Sequence, residues 1–232
     1  MISLDEHQNK SNGNNEKDDL ILDIRTMSFC FSGILPNKGL GPYSIDTESI
    51  TLKPFFTGSK HINRAAEVCL VSGFPDYKPF SNAYINHKPK NIFDYNYFKS
   101  GITERKLKNA ANFRFIRNQI LQILKLSNPL LIGCNIASDF KSLEIEYHNY
   151  FDLHSFFNEN NKQGTAIQPI SLRRLVYKFF NIDIQKGTHD CISDSIYTMK
   201  IYNEIYLNWI KIKQIFKLDS PPFKYDEFPF PD

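Results

Sequence analysis

Tyr43-Ser44-Ile45-Asp46-Thr47-Glu48-Ser49-Ile50 reads as a β-strand. Side chains on a strand alternate between its two faces, so Asp46 and Glu48 leave one face while Ile45 and Thr47 leave the other. Two acids on one face of a central strand make a poor core and a good clamp for a cation. An exposed edge with solvated acids is the alternative, because Asp-x-Glu alone is common. Two further acidic stretches lie beside apolar runs, Ile132-Gly-Cys-Asn-Ile-Ala-Ser-Asp139-Phe and Gly187-Thr-His189-Asp-Cys-Ile-Ser-Asp194-Ser. A buried carboxylate without a partner is costly. Four of them drawn into one cleft repel one another unless cations neutralise them.

Outward from this strand the pattern changes type repeatedly. Thr51–Asn63 reads as a Gly/Lys-containing loop and Ala65–Ser72 as a second strand. Gly73-Phe-Pro-Asp76 is a turn, and Phe80–Asn86 is a third strand that a hairpin joins to the second. Phe113, Ile116, Ile120, Ile123 and Leu124 recur at helical spacing and predict a helix from about Asn112 to Leu126. Leu130–Ile132 is a short buried strand, Asp139–Tyr147 a helix and Tyr150–Leu153 a last strand. Ser171 caps a helix through Phe180, and His189–Phe216 is mostly one long final helix. Strands first and then β–α alternation predict an α/β sandwich with helices on both faces.

The flanks read differently. Residues 1–19 carry Asn, Lys, Asp and Glu with little to bury and read as a disordered tail. Residues 20–41 read as an extended arm, and 42–218 as the folded domain. Residues 219–232 form a Phe/Pro-rich tail in which proline repeatedly interrupts any helix; it is a candidate docking segment for a protein partner.

With 232 residues, 41% apolar, the chain has ample material for one α/β domain with tails. A net charge of +3 excludes the broad electrostatic footprint of a chromatin or ribosomal binder, so nucleic-acid contact must come from a local patch. Cys30, Cys69, Cys134 and Cys191 form no CxxC pair and sit in apolar settings, as small buried hydrophobes of a reducing compartment do. The N-terminus lacks the basic start and apolar stretch of a signal peptide. No apolar run approaches the roughly 18 residues of a membrane helix. These features predict a soluble intracellular protein with no membrane partner.

Carboxylates from separate elements plus one histidine suit a two-metal phosphodiester nuclease. Asp139, at the start of a predicted helix, could equally serve as its cap. His189 and Asp194 are five apart and share a side of the last helix only approximately, and Asp190 could be the face that matters.

Longer stretches carry a resemblance. Asp94-Tyr-Asn-Tyr-Phe-Lys-Ser-Gly-Ile-Thr103, Ser171-Leu-Arg-Arg-Leu175, Ile184-Gln-Lys-Gly-Thr-His189 and the His-x4-Asp spacing of His189 and Asp194 resemble the DEDDh-type 3′–5′ RNA exonucleases. The branch is that of the yeast ribosomal-RNA-processing exonucleases, the interferon-induced 20-kDa exonuclease and the poly(A)-nuclease catalytic subunit. The resemblance covers about Pro42 to Tyr206. It implies an RNase H-like fold with a five-stranded mixed sheet. It implies Asp46, Glu48, Asp139 and Asp194 as ligands of two Mg²⁺ or Mn²⁺ ions, and His189 as general base. Oxygen-only ligands do select these ions over zinc. Contacts to the 3′-terminal nucleotide fall, by the same resemblance, on Ser49, Ile50, Asn135 and Ser138.

Departures from the branch occur at Cys134, Ser138, Ser195 and Phe151-Asp152-Leu153, and none removes a ligand or the base. They leave the RNA-versus-DNA preference open. The expected activity is release of nucleoside 5′-monophosphates from the 3′ end of single-stranded RNA. The alternatives are a DNA-directed exonuclease and a degenerate domain that acts as a protein- or RNA-binding scaffold. The family leans to the nucleus or nucleolus over the cytoplasm. Lys53, Lys60 and Arg64 are candidates to grip phosphates beside the site, and Tyr95, Tyr97 and Phe98 are candidates to stack bases.

Overall fold

A computed structural model describes residues 42–73, 77–160 and 167–208; both flanking tails and the Phe74–Asp76 part of the expected turn lie outside them. The first strand, β1 (Tyr43–Leu52), pairs antiparallel with β2 (Ile62–Ser72), which pairs antiparallel with β3 (Pro79–Asn86). On its other side β1 pairs parallel with β6 (Leu131–Gly133), and β6 with β7 (Tyr150–Asp152). These are the five strands of the expected mixed sheet.

Two short strands enlarge that sheet to seven: β4 (Ile92–Asp94) pairs with the end of β1, and β5 (Ala111–Asn112) with β3. A separate two-stranded sheet joins β8 (Asn158–Asn160) to β9 (Ile167–Pro169). None of these four is long enough to show a period of two in sequence, and each exists through pairing with a strand that its own sequence does not name.

β2 is buried continuously from Arg64 to Val71, as a strand covered on both faces must be. Hydrogen bonds from β1 identify the two covers. Ser44 Oγ donates to the Ser195 carbonyl of α7 (Cys191–Leu207) at 2.8 Å, on the Asp46 face. Thr47 Oγ1 lies 3.1 Å from Ser142 Oγ of α4 (Ile136–Leu143), on the opposite face. The remaining helices are α1 (Tyr97–Ser100), α2 (Glu104–Leu107), α3 (Phe113–Ser127), α5 (Leu153–Phe156) and α6 (Leu172–Phe180).

Two expected boundaries move, and one expected cap keeps its place without its side-chain bond. Helix α4 begins at Ile136, three residues before Asp139, because Asn135 takes a left-handed conformation (φ 70°) and turns the chain directly out of β6. That turn is tight enough to demand Gly133, where an added Cβ would lie 2.5 Å from Ile136 Cβ. Asp139 therefore sits in the first turn of α4 and is not its cap. Ser171 occupies the N-cap position of α6 without a side-chain capping bond. His189 precedes α7 altogether, since extended Asp190 caps that helix by accepting from Ser193 N–H at 3.2 Å.

Candidate active site

Strand β6 ends level with Ile45, while β1 runs on through Asp46 and Glu48. The gap beyond the carboxyl end of β6 is the kind of crevice in which α/β sheets bind ligands. A β-bulge falls between Glu48 and Ser49, where β2 fits Ala66 in as one extra residue. Bulges of this kind recur next to active sites because they re-aim side chains.

Two helices supply the other acids from their first turns. Asp194 on α7 is 3% exposed, Asp139 on α4 5% and Glu48 5%. Oxygens of Glu48 and Asp194 and a ring nitrogen of His189 all lie within 4.8 Å of one another. His189 Nδ1 is 3.6 Å from Asp194 Oδ2, and its backbone N–H donates to the Lys99 carbonyl at 2.6 Å, which fixes the residue just ahead of α7. Asp139 stands outside this tight trio. It accepts a 2.7 Å bond from Thr47 Oγ1 and is linked to the trio electrostatically through Asp46.

This crowding shifts the proton affinities of these groups. Burial first, and then the Asp194 charge, push the Asp46 carboxyl up to about 7. Burial, followed by Asp46 and Asp194, pushes Glu48 to about 8. Asp194 rises to about 6, chiefly through burial, despite a 2.7 Å bond from Gln185 Nε2 to its Oδ2. Asp139 is raised well above the carboxylate range by burial and by Asp46. His189 is lowered by burial and by Lys99, which keeps its imidazole neutral and able to accept a proton near pH 7.

Three residues here escaped the sequence reading. Gln185 lies in the quoted motif but carried no assigned role. Glu67, 5% exposed, stands directly opposite Glu48 in the β1–β2 register, which no local pattern reveals. Lys99 reaches the site only because α1 folds against His189.

Two other expected contacts, at Ile50 and Arg64, are corrected. Ile50 is wholly buried with Leu52, Ala66, Ile92, Ile102 and Leu107, so its side chain cannot touch a substrate. Arg64 is buried, paired with Glu144 and set over the Phe113 ring at 4.8 Å, so it is no phosphate grip. Lys53 Nζ donates to the Lys90 carbonyl at 2.9 Å. Tyr95 packs against the Ile50 cluster, whereas Tyr97 and Phe98 are exposed.

Asn135 and Ser138 are exposed at the start of α4, and the Asn135 N–H donates to Asp152 Oδ1 at 2.8 Å. Ser49 is half-buried, with its carbonyl accepting from Asn96 Nδ2 at 2.9 Å. Cys69, Cys134 and Cys191 are free thiols, and Cys191 Sγ donates to the Asp46 carbonyl at 3.1 Å. No helix among the described residues is long and apolar enough to cross a membrane.

Comparison with known proteins adds an independent line. No protein-family model matches the chain. It is 31% identical over 131 residues to the human interferon-stimulated 20 kDa exonuclease-like 2, a match covering 52% of this chain and 35% of that protein. It is 30% identical over 118 residues to RNA exonuclease 4 of Candida glabrata, covering 50% of this chain and 44% of the relative. The chain thus spans about a third to under half of the length of these relatives.

Among solved structures, the Neurospora crassa Pan2 catalytic unit (protease and nuclease domain) is similar at a TM-score of 0.63 and 23% identity, over 82% of this chain and 32% of that one. The Saccharomyces cerevisiae Pan2 pseudoubiquitin hydrolase-RNA exonuclease module in complex with A7 RNA is similar at a TM-score of 0.64 and 21% identity, over 78% of this chain and 31% of that one. The fold is RNase H-like α/β, as the sequence motifs implied.

Proposed function

The chain is a relative of the DEDDh-type RNA exonuclease branch, and from that premise we propose that it is a divalent-metal-dependent 3′–5′ exonuclease acting on single-stranded RNA. Its products would be nucleoside 5′-monophosphates. The observation that carries this reading is the crowding of Glu48, Asp194 and His189 within 4.8 Å, with Asp46 coupling them to Asp139.

The donor set fits hard cations. Carboxylates raised to about 7, 8 and 6 at half-buried Asp46 and buried Glu48 and Asp194 gain most from bound positive charge. Their all-oxygen ligands suit Mg²⁺ or Mn²⁺. Asp46, Glu48, Asp139 and Asp194 would hold two such ions. When bound, the ions lower the pKa of a water and stabilise developing charge on the leaving oxygen.

The chain's own residues do the rest. Thr47 orients Asp139 and Gln185 orients Asp194, each through a 2.7 Å hydrogen bond. Neutral His189, anchored through its backbone to Lys99, accepts the proton of the attacking water and passes it to solvent. In this reading the last nucleotide abuts β1 at Ser49, and hydrolysis starts from a free 3′-hydroxyl.

The test uses 5′-labelled RNA and DNA strands incubated with Mg²⁺, Mn²⁺ or EDTA. A descending ladder from RNA with either metal, and none with EDTA, is expected. Cleavage of circular RNA at the same rate as linear RNA would overturn the end-directed reading, and an inert protein would overturn the nuclease reading itself.

A further inference from the structure

Helix α1 contributes no carboxylate, yet it is clamped to the site at both ends. At its start Asn96 is left-handed (φ 52°), and its amide holds the Ser49 carbonyl next to Glu48 at 2.9 Å. At its end Gly101 (φ 63°) lets the chain turn hard against Thr188, where an added Cβ would lie 3.4 Å from the threonine side chain. Lys99 accepts the His189 N–H through its carbonyl. Buried Ser100 completes the anchor by donating to the Tyr95 and Asn96 carbonyls at 3.2 and 3.1 Å.

Between the clamps, three consecutive side chains stay in water. Phe98 is 92% exposed and Tyr97 52%, their rings set edge to face at 5.7 Å. Lys99 is exposed and makes no ion pair among the described residues. Two aromatic rings left outside on so firmly held an element form a surface awaiting a partner. Phe93, 59% exposed on the strand that leads into α1, extends it and stacks on His61 at 4.0 Å. The 2.6 Å backbone bond from His189 N–H to the Lys99 carbonyl sets Lys99 next to the site, and its charge lowers the proton affinities of Asp46, Glu48, Asp194 and His189.

We propose that α1 is the docking element for the last nucleotides of a single strand, with Phe98 and Tyr97 stacking bases and Lys99 contacting the phosphate that enters the carboxylate site. This rests on the nuclease reading above. Charge complementarity selects the occupant. A phosphodiester must approach an anionic cleft, and Lys99 is the cation standing beside both the rings and the acids. Ring faces accept any base, so the platform adds affinity without sequence preference.

The test measures binding of a 5′-fluorescent oligo(A) RNA to the full chain in Ca²⁺ by anisotropy, with RNA length checked after each titration. Phe98→Ala should weaken binding about tenfold. Lys99→Gln should flatten the slope of log affinity against log salt by about 0.7, the share of one phosphate contact on a single strand. Tyr177→Ala, which removes an exposed ring on α6 comparable in exposure to Tyr97, should change nothing.

If wild type binds RNA and both α1 variants bind it equally well with an unchanged salt slope, the platform is refuted while the nuclease reading stands. If the α1 variants instead lose only self-association in sedimentation, the rings serve a protein interface and the proposal fails. A wild type that neither binds nor degrades RNA removes the nuclease reading and this inference together.

Discussion

Two buried charged sites in this molecule are built on opposite terms. At one, Arg64 on β2 is 8% exposed, lies over the Phe113 ring and is paired with Glu144, whose side chain reaches solvent. At the other, Asp46, Glu48, Asp139 and Asp194 gather, and among the described residues Lys99 is the cation that lowers the proton affinities of Asp46, Glu48 and Asp194. The first charge arrives with its counter-charge. The second set arrives without one, so the fold bears a repulsion that bound cations can relieve. A paired buried charge belongs to the scaffold, while an uncompensated cluster at the end of a strand marks chemistry.

The largest effect that can break this contrast is loss of one carboxylate. Asp139→Asn keeps an acceptor for Thr47 Oγ1 but removes a charge. Hydrolysis should fall by about three orders of magnitude or more, while the melting temperature in EDTA holds or rises because repulsion has been relieved. Side-by-side rate and melting measurements check this. A variant that unfolds, or one that retains wild-type rate, would place Asp139 with the scaffold. His189→Ala comes next. It should cost about 10²–10⁴-fold in rate while calorimetric metal binding persists.

The same contrast explains what was legible in the sequence. Asp46 and Glu48 could be placed because the two-residue period of β1 is local, and helix α3 because its apolar stripe is. Glu67 could not, since only the register of β1 against β2 sets it opposite Glu48. His189 was expected on the last helix, but the local bond from Ser193 N–H to Asp190 starts that helix two residues later. Arg64 was read as a phosphate grip from its charge, and its fate was decided by Glu144, eighty residues on. Lys99 joined the site through a backbone bond to His189, which no spacing rule anticipates. Periodicity gave the strands and their faces, and long-range pairing decided which charges were left without partners.

A smaller effect should appear in the metal-free protein as pH changes. Asp46, Glu48 and Asp194 hold protons in the folded state up to about 7, 8 and 6, well above their ordinary values near 4. Between those limits the folded state binds more protons than the unfolded one, so stability falls as pH rises. In EDTA the melting temperature should therefore decline from pH 5 to pH 8, and saturating Mg²⁺ should recover most of that loss at pH 8. A melting temperature that is flat with pH and indifferent to Mg²⁺ would mean that the carboxylates are not crowded in solution.

The smallest effect probes the scaffold side of the comparison. Arg64→Met keeps the aliphatic packing against Phe113 but discards the cation over the ring and the pairing with Glu144. Glu144 is left with its side chain 53% exposed, so water takes over its charge and the penalty of a stranded buried ion does not arise. What remains is the loss of one cation–π contact and one partly screened ion pair, about 1–2 kcal/mol. Denaturant melts should register that loss while the rate of RNA hydrolysis stays at the wild-type level, because Arg64 sits opposite Ile50, whose side chain is sealed in the core away from the cleft. A drop in rate larger than the drop in stability would move Arg64 from the scaffold to the site and blur the division between paired and unpaired charge.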